Sequence, residues 1–193
     1  MKKELQRKNL LLLIDFIGHP VLGCEHTNNL RYSYLQALLF NDLFDLVVVS
    51  DHKPWHEKES ELERIVKVEG RIPWINIDCD AEPTVPDIVS RVKEEGIDIE
   101  HVIIGGTNTS GCCFRTRSYS ANKWHKYGYT VKFFLPLCAE YQSHGINEAE
   151  RNMHAYAIIA KDIKKQQLHN IDIVSNFNEL KPPRRLGNHK ETF

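Results

Sequence analysis

The chain has no long hydrophobic run, no excess of charge of either sign, no Cys-x-x-Cys pair and no glycine-rich phosphate loop, and each absence removes a class of function. The longest unbroken apolar stretch near the start, Leu10 to Ile14, is far short of the roughly 18 residues a membrane-spanning helix needs, and no small-residue cleavage site follows it. A soluble, cytoplasmic protein is expected. The 25 Lys and Arg against 26 Asp and Glu leave a formal charge of -1, which gives no global reason to bind nucleic acid or an anionic membrane. A small neutral or polar molecule is the more natural partner. The five cysteines, Cys24, Cys79, Cys112, Cys113 and Cys138, form an odd set, so free thiols are expected rather than a secreted disulfide framework. After Asp15 the run FIGHPVLGCEH contains no Gly-x-Gly-x-x-Gly, which argues against a dinucleotide-binding protein.

What is present is an alternation of short apolar runs with longer stretches of helical period. Asn9 to Asp15, Asp45 to Ser50, Trp74 to Asp78, His101 to Gly106, Tyr129 to Pro136 and Ile171 to Ser175 read as strands. Asn29 to Leu43, Pro86 to Glu95, Gly111 to Lys126 and Asn147 to Lys165 read as helices, with Pro86 in a first turn and Gly96 just past an end. LLLLID, LVVVS and HVIIGG are almost continuously apolar, as strands buried on both faces must be. The expectation is an α/β protein: one three-layer α/β/α domain over residues 1–175, built on a six-stranded parallel sheet of Rossmann-like type. Residues 176–193, which include KPPRRLGNHK, read as a polar tail with little surface to bury.

In such sheets ligands bind beyond the carboxyl ends of the strands, which points to Asp15, to Ser50 with Asp51, and to the turn after HVIIGG. The run HVIIGGTNTSGCCFRT, His101 to Thr116, is a buried strand, a turn of small residues and a helix start. Thr109 or Ser110 is placed to cap that helix. A cysteine in its first turn meets unpaired amides and the positive end of the helix dipole, which favour the thiolate. The same amides are placed to hold an oxyanion beside the sulfur. Packing explains a buried Cys at such a junction equally well.

The spacing of Gly106, Thr109, Cys112 and Thr116 resembles the nucleophile motif of the isochorismatase-like cysteine hydrolases, the superfamily that contains nicotinamidases. LLLIDF at Leu11 to Phe16 is similar to the family's first strand with its catalytic aspartate. GYTVKFFLPLCAEY, Gly128 to Tyr141, and the segment Ile146 to Ser175 fit its later elements. The resemblance implies that Cys112 is the nucleophile and Asp15 the general base in cleaving a small-molecule C–N bond through a thioester. It also implies a cis peptide between Thr107 and Asn108, oxyanion donors in the amides of Asn108 and Cys112, and a homo-oligomer. Phe16, Trp55, Trp74 and Thr109 are the candidate pocket residues, with cover of the core the alternative reading for the three aromatics.

The family's lysine falls near WINIDCDAEP, Trp74 to Pro83, where this chain has none, and Lys67 in RIVKVEG is the nearest candidate. No cofactor is required by the implied mechanism. Nicotinamidases carry a metal near the pocket through an Asp-x-His motif, and SDHKPWHEKE offers Asp51, His52 and His56 in a different spacing, which leaves a Zn²⁺ or similar site open. Two functional readings stand: a nicotinamidase-like cysteine amidohydrolase, and a degenerate relative that keeps the fold as a binding or assembly module.

Overall fold

The computed structural model describes residues 7–16, 31, 33–37, 43–51, 72–140 and 147–180. Six strands form one sheet: β1 (Arg7–Ile14), β2 (Leu46–Asp51), β3 (Trp74–Asp78), β4 (Asp98–Thr107), β5 (Thr130–Ala139) and β6 (Ile171–Val174). All pairings are parallel and the order is β3-β2-β1-β4-β5-β6.

The apolar runs are continuous because both faces of the sheet are covered. Along β1, Leu10, Leu12 and Ile14 enter one core and Leu11 and Leu13 the other. β2 divides Leu46 and Val48 from Val47 and Val49 in the same way. Each such fully buried aliphatic side chain contributes about 2 kcal/mol. On the first face lie the helices α1 (Val85–Glu94), α2 (Ala121–Lys126) and α3 (Glu148–Gln166). On the second lie the helical residues 31 and 33–37 and the short helix α4 (Phe177–Leu180).

Local chemistry sets the helix ends. Thr84 and Asp87 form a reciprocal capping box at the start of α1, and Pro86 sits in its first turn. Gly96, at φ 73°, turns the chain out of it. Asn147 caps α3 by accepting from the Glu150 amide at 3.0 Å.

Several sequence expectations are corrected. The helix expected over Gly111 to Lys126 is two pieces, a π-helical segment Thr109–Thr116 and α2, separated at Arg117 to Ser120. The helix expected up to Leu43 has ended by there, for Leu43 and Phe44 are buried in non-helical chain. The first turn past Ser175 does bury surface, with Leu180 in the core and Phe177 packed against it. Residues 181–193 lie outside the described set. β4 and β5 slip register between Ile104 and Gly106, whose partners are Phe133 and Cys138. Pro136 falls in the bulged stretch, where a missing N–H breaks no ladder bond.

The strand order reverses between β1 and β4, which opens a crevice above their carboxyl ends. Leu13 pairs with Gly105 and Ile14 with Gly106, so the residue after β1 and the turn after β4 meet in that crevice. The approach depends on glycine, because a Cβ on Gly106 would stand 2.0 Å from the Ile14 carbonyl oxygen.

Candidate active site

Asp15 leaves β1 in a left-handed conformation, φ 48°, and its amide donates to the Ser50 carbonyl at 2.8 Å. That turn carries its carboxylate over the crevice while keeping it buried. Asn108, φ 58°, makes the equivalent turn after β4. Left-handed non-glycine residues carry strain and concentrate where geometry serves a site; these two face each other across Cys112. Asp15 lies within hydrogen-bonding reach of the Cys112 thiol on one side, and Asn108 Nδ2 donates to Sγ at 3.3 Å on the other.

The cation of this cluster is Arg117. Its guanidinium donates to both carboxylate oxygens of Asp15, at 3.1 and 3.0 Å. Burial is the largest single influence and opposes its charge, but the charge and hydrogen bond of Asp15, joined by Tyr119 and Cys112, together hold its pKa above the ordinary value. Arg117 reaches the site because the chain is extended there, φ -65° and ψ 145°; an unbroken helix would carry it round to another face. Lys67, the sequence candidate for a cation, lies outside the described residues.

The Cys112 thiol is pushed above its ordinary pKa, first by burial and then by the charge of Asp15, against the lowering effects of Arg117 and the Thr116 hydroxyl. This reverses the expectation of a thiolate favoured by a helix start. The amide of Ser110, in the first turn, is already occupied by the Glu140 carboxylate at 2.9 Å. Thr109 does not cap the segment either: its hydroxyl donates to the Ala139 carbonyl at 2.9 Å and anchors the turn to β5. No cis peptide occurs among the described residues; the left-handed Asn108 makes the turn that the expected cis Thr107–Asn108 bond was to make. Cys112 opens on a cavity of about 620 Å³ that Arg117, Thr116, Ser118, Glu82, Thr84, Lys123 and Tyr127 help to line. Behind it the Tyr119 hydroxyl, fully buried, lies 2.6 Å from Ser50 Oγ.

The shape of this assembly has counterparts. The chain superposes on the MAR1 ribonuclease of Caenorhabditis elegans with a TM-score of 0.52 at 10% identity, over 89% of this chain and 78% of that one. It superposes on the nicotinamidase SaPncA of Staphylococcus aureus with a TM-score of 0.51 at 16% identity, over 89% and 99%. The chain has the isochorismatase-like fold. No family model and no curated protein matches the sequence. At these identities the likeness is one of fold.

In the isochorismatase-like fold the other described sequence candidates do not join Cys112 at the cavity. Phe16 is buried in the second core with the Arg31 guanidinium 4.2 Å above its ring. Trp74 packs against that core and donates through Nε1 to Asn76 at 2.6 Å. Neither belongs to the cavity wall: both side chains pack on the second face of the sheet, Phe16 buried and Trp74 partly so. Trp55, His52, His56 and the side chain of Asp51 lie outside the described residues. Among the described residues no three His, Cys, Asp or Glu side chains converge as a metal set would, and no helix is long and apolar enough to cross a membrane.

Three contributors were missed by sequence reasoning: Arg117, the side chain of Asn108, and Arg31. Arg31, buried, donates to the Leu137 carbonyl in the β5 bulge and to Thr107 Oγ1, both at 3.1 Å. The signal available for Arg117 was Ser120 ahead of Ala121, a helix-start residue that marks the break in the expected long helix. Nothing in the spacing marked Arg31.

Proposed function

We propose that this protein is a cysteine hydrolase that cleaves the C–N bond of a small polar amide, with Cys112 as nucleophile, Asp15 as base and Arg117 as the cation of the site. The observation that carries the reading is the placement of one reachable thiol between an acidic group and hydrogen-bond donors at the wall of an open cavity. A volume of about 620 Å³ suits a small molecule, and Lys123, Glu82 and Arg117 on its wall favour a polar one.

The chemistry follows from these groups. As Sγ attacks the amide carbon, the thiol proton passes to Asp15, so the raised thiol pKa leaves a neutral resting thiol that is activated during attack. Collapse of the tetrahedral oxyanion breaks the C–N bond, and Asp15 returns the proton to the departing amine. Water, giving its proton to Asp15, then attacks the thioester; collapse breaks the C–S bond, Asp15 returns the proton to Sγ, and the acid is released. Arg117 offsets the negative charge that accumulates on Asp15 and sulfur.

A second reading, a binding or assembly module on the same fold, is favoured by the way Arg117 occupies both oxygens of Asp15. One experiment separates the two. The protein is incubated with a panel of small primary amides, ammonia release is followed, and intact mass is recorded after rapid acid quench. The hydrolase reading expects ammonia with at least one amide and an acyl adduct on Cys112, both abolished in Cys112→Ala. Amides that stabilise the protein to heat without ammonia or adduct would favour the module.

A further inference from the structure

The proposed mechanism gives the Asn108 side chain, which touches the sulfur, no role. Asn108 stands at the N-cap of the π-helical segment, where an Asn side chain ordinarily accepts from the first unpaired amides. It makes no such bond. Its carboxamide is turned inward instead, and Nδ2 donates to Cys112 Sγ at 3.3 Å. The thiol proton has its own acceptor in Asp15, so sulfur offers Asn108 a lone pair.

Gly111 supports this independently. Among the described glycines, those with positive φ are Gly96, Gly106 and Gly128, so the conformation at Gly111 does not call for glycine. The space does: a Cβ there would lie 2.4 Å from Asn108 Oδ1, 2.7 Å from Nδ2 and 2.8 Å from Cγ. Real Cβ contacts are not that short, and the residue pressed on is the Asn108 carboxamide itself. Gly111 is the seat of that side chain.

We propose that the Asn108 carboxamide is a catalytic hydrogen-bond donor: Nδ2 holds the Cys112 sulfur as it gains negative charge and then donates to the oxyanion on the attacked carbon, while Gly111 keeps its seat open. The donor is neutral and keeps its protons, so the bonds made and broken remain those of amide cleavage. A carbonyl oxygen on a carbon bonded to Sγ is next to the sulfur, within the sweep of a donor already in contact with it. The second half of the proposal rests on the hydrolase reading; the contact to sulfur does not.

The test uses three variants of the full chain. Asn108→Gly keeps the left-handed backbone and removes the carboxamide, Asn108→Asp reverses its polarity, and Gly111→Ala leaves Asn108 in the sequence but displaces it. The rate of Cys112 alkylation by iodoacetamide is measured against pH, with Tm recorded alongside. The expected result is an alkaline shift of about 1 pH unit in Asn108→Gly and Gly111→Ala, and a larger one in Asn108→Asp. With an amide that the wild type cleaves, kcat should fall about 10²-fold or more with KM little changed, as loss of an oxyanion donor does. A purely structural role would lower Tm and leave the alkylation profile in place, and that result would overturn the contact to sulfur. Unchanged kcat in folded Asn108→Gly would overturn the oxyanion role. A wild type that cleaves no amide overturns the hydrolase reading and that role with it, while the alkylation profile still decides the contact to sulfur.

Discussion

Cys112 and Cys113 are neighbours in sequence with opposite surroundings. Cys113 is fully buried, its thiol donates to the Thr107 carbonyl at 3.4 Å, and it sits against the position a Cβ on Gly106 would need. Burial raises its pKa well above the ordinary value. Cys112 is only partly buried, lies on a cavity wall, and has Asp15, Asn108, Thr116 and Arg117 around its sulfur. Cys138, in the same core as Cys113, is pushed up to about 12 by burial. Burial moves all three thiols in one direction. What distinguishes Cys112 is that it is only partly buried on a cavity wall with the Asp15 carboxylate in hydrogen-bonding reach of its thiol, so its proton can be moved by chemistry rather than only withheld by desolvation.

The strongest way to break that contrast is Asp15→Asn. Asp15 is one of the causes that raise the Cys112 pKa, after burial. Removing its charge therefore moves the alkylation profile of Cys112 to lower pH. Turnover moves the other way and falls by about 10²- to 10⁴-fold, because the proton acceptor is gone. A better thiolate in a worse enzyme is the signature expected of a general base. Equal movement of both readouts in the same direction would show that Asp15 acts only through the electrostatics of the sulfur.

This contrast also marks what the sequence could reveal. The parallel sheet was legible because strands covered on both faces leave a continuous apolar signature, as in Leu10 to Ile14, and the polar residues at their ends stand out against it. Asp15 and Cys112 were legible as candidates for that reason, helped by the spacing of Gly106, Thr109, Cys112 and Thr116. The preference for Cys112 over Cys113 came from the same spacing. The π-helical segment was not legible, because period alone cannot tell a π turn from an α turn over eight residues. Missing it hid Arg117, which an unbroken helix would have left in solvent. The role proposed for Gly111 rests on a side-chain contact, and a glycine outside the left-handed region carries no local mark of that.

Arg117→Gln sharpens the contrast from the opposite side. The guanidinium lowers the Cys112 pKa where Asp15 raises it, so its loss shifts alkylation to higher pH, by about 1 unit. Turnover should fall about tenfold or more, since the charge gathered on Asp15 and sulfur loses its counterion. Circular dichroism checks that the ion pair of Arg117 with the buried Asp15 is not itself required for folding. An alkylation profile that stays in place in a folded Arg117→Gln protein would remove Arg117 from the site and return the search for the cation to segments such as the one carrying Lys67.

The smallest effect is expected at Cys113. Its sulfur fills space beside Gly106 at the base of the crevice and is not part of the cavity wall. Cys113→Ala removes one buried sulfur and its single hydrogen bond to the Thr107 carbonyl, which should cost about 1–2 kcal/mol in a urea titration. The alkylation profile of Cys112 should remain that of the wild type, because Cys113 stays neutral across the range in which Cys112 titrates. If Cys113→Ala instead shifts that profile as far as Asp15→Asn does, the two thiols titrate as a coupled pair. The division between a reactive sulfur and a packing sulfur would then have to be replaced by a two-thiol site.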